Sequence, residues 1–409
     1  MSTTIKTAAR VSSRGLAMPA SPIRKLMPLA DEAKKRGVKV YHLNIGQPDL
    51  ETPEPMRRRL TTLKDKTYAY SPSNGTPEYL DFLCAYYGKL GIALKRSEVL
   101  ATTGGSEALL FAFMACADPG GEILTVEPLY TNYRSFAAMA GLSLRPIVTH
   151  GEDGFHLPAR AEWEKALTPK TRLVLLCNPN NPTGTAYSKE EIVRAAEFCR
   201  DHGLFFVCDE VYREFLYDAR ESVSALSLAG FEDEVVVVDS LSKRFSACGI
   251  RLGALVTRNT DVAGACNRMA QGRLSPPGLA QYIAPGALEL GPEYYEGVIS
   301  EYQKRRDTLY EGLSKIPGVF LRKPEGAFYF IARLPVQDSD DFAAWLLSDF
   351  ALGGKTVMVA PASGFYVTPG LGLDEIRIAY VLKEDDLRDA VRILAAALPA
   401  YRKAKGITS

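Results

Sequence analysis

Little in this chain points to metal chemistry or to a disulfide scaffold. Seven cysteines (Cys84, Cys116, Cys177, Cys199, Cys208, Cys248 and Cys266) are scattered without CxxC spacing. An odd, dispersed set in a long chain reads as reduced, mostly buried thiols in a reducing compartment, and the expected location is the cytoplasm. The four histidines (His42, His150, His156 and His202) are isolated, so no zinc site is expected and no metal is assigned. Charge of one sign is missing too. Lys and Arg number 49 against 48 Asp and Glu, a net +1 that offers no footprint for nucleic acid or an acidic membrane. The longest apolar runs, such as Val235–Val238 and Leu204–Val207, are far below a membrane span. No repeat of 20 to 50 residues and no low-complexity tract occurs. Small molecules and copies of the chain itself remain as partners.

The N-terminus has no acidic residue before Asp31, whereas Lys6, Arg10, Arg14, Arg24 and Lys25 precede it. That bias overlaps with organelle transit peptides. Without a strong amphipathic helix, an extended arm is the preferred reading, and the missing apolar h-region argues against secretion.

At 409 residues, with 46% hydrophobic and 24% charged residues, the chain is long enough for two globular domains. Short apolar runs recur at Val99–Thr103, Glu122–Val126, Arg172–Cys177, Leu204–Cys208, Glu234–Asp239 and Leu252–Val256. Several are apolar on both faces, as strands covered by helices on both sides should be. Between them lie helical patterns such as Ser188–His202, opened by the capping signal Ser188-x-x-Glu191. This alternation predicts an α/β domain with a large, mostly parallel sheet sandwiched by helices. Beyond about residue 293 the texture changes, with helices expected at Pro292–Ser314 and Glu384–Ala397 and strands at Phe328–Ile331 and Ile376–Tyr380. The expected division is 1–46 as arm and part of a small domain, 47–292 as the large domain, and 293–409 as a smaller α+β domain.

Ligands of open α/β sheets collect beyond the carboxyl ends of the strands, so the residues following each run matter most. Gly104-Gly105-Ser106 opens a helix, which suits an anion through free N–H groups and the helix dipole, although a plain capped turn has the same residues. It is not GxGxxG, and Gly354-Lys355-Thr356 is no Walker loop because Asp349 stands where the first glycine belongs. Tyr130 stands at a strand mouth, where an aromatic either stacks on a ligand ring or merely packs. Asn178-Pro179-Asn180-Asn181-Pro182-Thr183-Gly184 holds amide donors on a rigid backbone, more than a turn requires. Asp209 ends a buried strand with no adjoining Lys or Arg, so either a distant Arg or a cationic ligand atom must offset it. Ser240-Leu241-Ser242-Lys243 and Arg251 add two hydroxyls, a guanidinium suited to phosphate, and an amine that can act as a nucleophile once deprotonated.

With these elements in this order and spacing, the chain resembles the fold-type I, class I/II pyridoxal-phosphate-dependent aminotransferases, the aspartate aminotransferase superfamily. The likeness runs from Asn44-Ile45-Gly46-Gln47-Pro48-Asp49 to Arg377 in Ile376-Arg377-Ile378-Ala379-Tyr380. It implies pyridoxal 5'-phosphate as cofactor, joined to Lys243, which would also shuttle the substrate proton. Asp209 would pair with the cofactor's pyridine nitrogen, a task the protein performs in this chemistry. Asn181 and Tyr212 would bond the ring's phenolic oxygen and Tyr130 would stack on the ring. Gly104 opens the phosphate cradle, and Gly105, Ser106, Ser240, Ser242 and Arg251 would hold the phosphate. Tyr70 matches a tyrosine that reaches the neighbouring subunit's phosphate, implying a homodimer with shared sites. Arg377 would grip the substrate α-carboxylate, with Gly46 and Asn181 beside it, and Pro324–Tyr329 would form a substrate wall.

The implied activity is transfer of an amino group from an L-amino acid to a 2-oxo acid, expected to be 2-oxoglutarate, by a ping-pong mechanism. A carbon–sulfur β-lyase of the same fold would keep Lys243, Asp209 and Arg377. A cofactor-binding transcription regulator would append a helix-turn-helix domain, for which an extension of about 20 residues is too short. Some bacterial aspartate enzymes of the family carry Lys where this chain has Ser106, which weighs against strict use of aspartate. Arg273 lies near the region from which aspartate-specific relatives bring a second basic residue, and the side chain accepted stays open.

Overall fold

The computed structural model describes residues 10–407. The first nine residues, part of the basic segment read above as an arm, lie outside the described residues. A short strand, β1 (Lys39–His42), precedes seven strands that build one sheet: β2 (Val99–Thr102), β3 (Glu122–Glu127), β4 (Ser143–Val148), β5 (Thr171–Cys177), β6 (Phe205–Asp209), β7 (Val235–Ser240) and β8 (Gly253–Thr257). Their spatial order is β2-β8-β7-β6-β5-β3-β4. All neighbours are parallel except those of β8, which runs against both β2 and β7.

Side-chain alternation explains why these strands are apolar throughout. In β5, Leu173, Leu175 and Cys177 pack on one face while Val174 and Leu176 pack on the other. Likewise Val236 and Val238 of β7 oppose Val235 and Val237. Helices cover both faces, so past their first residues the central strands are buried throughout, with Arg172 near the start of β5 exposed. Within this sheet, one strand, β4, is missing from the sequence expectation. It is an edge strand, half exposed, with Pro146 at its centre, so it carries neither the apolar run nor the propensity of the inner strands.

The helix expected after Ser188 spans Lys189–His202, with the reciprocal Ser188–Glu191 capping bonds in place. Past it, a helix at Pro292–Leu313 leads to β9 (Phe320–Leu321), β10 (Tyr329–Arg333), β11 (Lys355–Met358), β12 (Ala360–Pro361) and β13 (Glu375–Ala379). Four of these form an antiparallel sheet in the order β12-β13-β10-β9, while β11 pairs in parallel with β1. The last helix, expected to stop at Ala397, continues through Pro399 to Ala404. Buried Leu398 and Tyr401, whose hydroxyl donates to Asp341 at 2.7 Å, hold the extra turn despite the proline. Among the described residues no helix is long and apolar enough to cross a membrane, and all seven cysteines are free thiols, five of them buried.

Candidate active site

The carboxyl ends of the inner parallel strands, together with the loop after β1 and strand β13, surround a cavity of about 380 Å³. Gly46, Gly105, Ser106, Tyr130, Asn181, Asp209, Tyr212, Ser240, Ser242, Lys243, Arg251 and Arg377 all line it. Gly104 lies just outside. Its φ of +72° turns the chain into the helix Gly104–Cys116, and a Cβ there would stand 2.6 Å from Arg251 Nη2. Tyr70 is not brought to this cavity within the chain, and it is 80% exposed.

At one end stands Asp209, buried at the tip of β6. Its Oδ2 accepts from the Tyr133 hydroxyl at 2.7 Å and its Oδ1 from the Val211 N–H at 3.3 Å. Neither a distant Arg nor a Lys reaches it among the described residues. Burial therefore pushes its carboxyl up to about 6, with the two donors only partly offsetting it. Tyr133 was not singled out from the sequence. The available signal was its position three residues after Tyr130, on the same side of a helix start.

Lys243 also lines the cavity and is partly buried. Its Nζ donates to the Gly46 carbonyl at 2.9 Å and lies 3.8 Å from Cys248 Sγ. Burial holds its amine below the usual lysine range, the Cys248 thiol works against that, and the charges of Arg377 and Arg251 add to the lowering. Gly46 is enforced sterically, since a Cβ would stand 1.7 Å from the Tyr329 hydroxyl oxygen. Tyr329, another residue the sequence reading gave no individual role, shares a 3.0 Å hydrogen bond with the Tyr212 hydroxyl. Asn181 Nδ2 donates weakly to that same Tyr212 oxygen at 3.4 Å.

Arg377 is 1% exposed. One Nη donates to Asn181 Oδ1 at 3.1 Å and the other to the Asn44 carbonyl, while Nε has no acceptor. A buried guanidinium with spare donors is costly unless an anion completes it. On the far side, Ser240 Oγ donates to Ser242 Oγ at 2.9 Å, and Arg251 Nη1 approaches Ser242 Oγ at 3.5 Å. These groups face the start of helix Gly104–Cys116, where the N–H groups of the first turn point outward. Arg273, by contrast, is absent from the cavity. It is paired with Glu107 at 2.7 Å and donates to the Ser73 carbonyl at 2.8 Å.

Four cations and a single carboxylate line a cleft that has an anion cradle at one corner. Such a lining complements a flat ligand bearing a phosphate and a basic ring nitrogen, which would answer both the uncompensated Asp209 and the open cradle. On this fold, that complement belongs to the pyridoxal-phosphate-dependent transferases. The description of the family "Aminotransferase class I and II" matches residues 38–394, and the chain belongs to that family. It is a pyridoxal-phosphate-dependent aminotransferase. A probable aspartate/prephenate aminotransferase of Aquifex aeolicus is 31% identical over 404 residues, covering 95% of this chain and 98% of its own. The aspartate/prephenate aminotransferase of Thermus thermophilus is 30% identical, covering 95% and 98%. Among solved structures, an alanine aminotransferase from Pyrococcus furiosus superimposes with a TM-score of 0.87 at 29% identity, over 96% of this chain and 100% of that one.

Proposed function

We propose that this cavity moves an amino group between an L-amino acid and a 2-oxo acid in two half-reactions, with 2-oxoglutarate as the acceptor. The names of relatives, an aspartate/prephenate and an alanine aminotransferase, support an L-amino acid as donor. The observation that carries the reading is the convergence of Lys243, Asp209 and Arg377, with the last one's spare donor, on one cavity.

When bound, pyridoxal phosphate supplies a carbonyl carbon and a cationic ring that withdraws the electron pair left at the substrate Cα. The chain's residues do the rest. Asp209 would hold the proton at the ring nitrogen, with Tyr133 keeping the carboxylate aimed. Ser106, Ser240, Ser242, Arg251 and the N–H groups at Gly104 and Gly105 would hold the phosphate. Tyr130 would cover a face of the ring, while Asn181 and Tyr212 would hold its phenolic oxygen. Arg377 fixes the substrate α-carboxylate beside Gly46 and Asn181, which presents the Cα hydrogen to Lys243. Because burial favours its neutral form, Lys243 can take that proton and return it on the other side of the exchange.

The exposed Tyr70 fits a role at the neighbouring subunit's phosphate, so the working unit is a homodimer with shared sites. The domain boundaries at 46/47 and 292/293 and a cytoplasmic location belong to the same reading. The test is a panel of single L-amino acids added to the holoenzyme without a keto acid. One keto acid released per site, with bleaching of the visible band and then a halt, is the expected result. Continuous release of ammonia or thiol would make the protein a lyase instead.

A further inference from the structure

Of the cationic groups around the cavity, three are committed to tasks by their surroundings. Lys243 sits on the Gly46 carbonyl, Arg251 faces Ser242 and Gly104, and Arg377 is locked between Asn44 and Asn181. A fourth, Arg24, lines the same cavity from the N-terminal segment, and no role for it follows from the family resemblance.

The position of Arg24 is fixed by its neighbours. Asn44 Nδ2 donates to the Ile23 carbonyl at 3.0 Å, and the carbonyl of that same Asn44 accepts from Arg377. Arg24 is thus tethered one residue from a group that touches the α-carboxylate grip. Lys25, the other basic residue there, is turned away to an ion pair with Asp340. Among the described residues the Arg24 side chain makes no hydrogen bond or ion pair, although its charge is felt at the half-buried Tyr130. Ile23 and Ile45 line the same cavity beside the uncharged Ser21 and Gln47, so none of these neighbours supplies a competing charge. Two other sources of distal charge are unsuited within this chain. Ser106 carries none, and Arg273 is neutralised by Glu107 outside the cavity.

We propose that Arg24 is the distal anion-binding residue of the substrate site and selects dicarboxylic amino acids and 2-oxo acids by pairing with the carboxylate remote from Arg377. This deepens the aminotransferase reading and rests on Arg377 gripping the α-carboxylate. An unpaired guanidinium at a cavity mouth keeps its hydration when the site is open. It gains a bidentate partner only when a second carboxylate enters. A monocarboxylic substrate leaves Arg24 in water and loses nothing by its removal.

The experiment compares wild-type holoenzyme with Arg24→Gln and Arg24→Lys. For each, kcat/KM is measured with aspartate, glutamate and alanine, and Kd with maleate and with propionate, read from the visible band. Arg24→Gln is expected to lower kcat/KM for aspartate and glutamate and to weaken maleate by about 10- to 100-fold, leaving alanine and propionate within about threefold. Arg24→Lys should recover part of the dicarboxylate preference. Equal losses for both substrate classes, or no loss for either, would overturn the proposal. So would a wild-type enzyme without dicarboxylate preference, or a preference abolished by Arg273→Gln while Arg24→Gln leaves it intact. Each of these failures leaves transamination standing. Only a wild-type protein that transaminates none of the three amino acids breaks the reading beneath it.

Discussion

The Tyr133 hydroxyl donates to Asp209 Oδ2 at 2.7 Å, and this neutral donor is the strongest partner the buried carboxylate has within the described residues. A phenol orients a carboxylate without neutralising it. Asp209 therefore carries an unmet electrostatic demand whose size follows from its upward shift to about 6.

That demand sets opposite signs for Asp209→Asn with and without cofactor. In the cofactor-free protein, a carboxyl raised from 3.8 to about 6 makes the folded state bind more protons than the unfolded one between those values. Stability then falls as pH rises through that window. Asp209→Asn removes the penalty, because the amide oxygen still accepts from Tyr133. The apo variant should be more stable than the apo wild type above pH 6, by on the order of 3 kcal/mol, with the gap closing below about pH 4. In the holoenzyme the same change removes the partner of a buried cation and should slow the half-reaction by about 100-fold or more. Denaturant melts of both apo forms and single-turnover kinetics check the two arms. A less stable apo variant at pH 8 would show that Asp209 is already compensated.

Gly46 provides a steric prediction. Its missing side chain leaves room for the Tyr329 hydroxyl, and its carbonyl accepts from Lys243 at 2.9 Å. Gly46→Ala must displace the Tyr329 ring, the carbonyl, or both. The expected loss in kcat is about 100-fold, since a shift of an ångström at a reacting centre has that scale. Adding Tyr329→Leu withdraws the ring and should restore part of the rate. An additive double variant would mean that the clash is not the cause.

The strand ends were legible from the sequence because each combines an apolar run, which specifies the strand, with residues that a plain turn does not need. Asp209 after Leu204–Cys208 and Lys243 after Glu234–Asp239 are of this kind, and all but Gly104 and Tyr70 of the expected cofactor contacts line one cavity. What escaped depends on tertiary placement. Tyr133 reads as an ordinary helical aromatic until β6 brings Asp209 to it. Arg24 reads as one more basic residue of the N-terminal segment until Asn44 ties its neighbour to the cavity. The edge strand β4 escaped for the opposite reason, because half exposure and Pro146 remove the local signal that burial imposes on inner strands.

Tyr70 is 80% exposed although aromatic, and an aromatic ring left so exposed in one chain fits a contact made in another. If sites are shared, Tyr70→Ala and Lys243→Ala damage different halves of each site. Unfolding and refolding the two weakened variants together should form heterodimers with one intact site. Random pairing makes half of the dimers mixed, so activity should rise to about a quarter of wild type. Mixtures that stay at the level of the separate variants would place Tyr70 outside the shared site.

His156 joins the capping box of helix Lys189–His202 to the Pro324–Tyr329 wall. Its Nδ1 lies 3.1 Å from Glu191 Oε2 and its Nε2 3.5 Å from Glu325 Oε2. Hydrogen bonds to Glu191 and then Glu325 outweigh partial burial and raise the imidazole to about 10. A base raised in the folded state contributes stability that is fully present below its unfolded value near 6.5 and is lost as pH rises through about 10. His156→Gln should accordingly melt below wild type at pH 6.5, still below it at pH 8.5, and level with it above pH 10. Through the proposed substrate wall, of which Tyr329 lines the cavity, the variant should also raise KM more than it lowers kcat at neutral pH. Melting curves at the three pH values test the linkage. A gap that closes by pH 7.5 would mean that the imidazole titrates near its ordinary value and the two carboxylates do not act on it together.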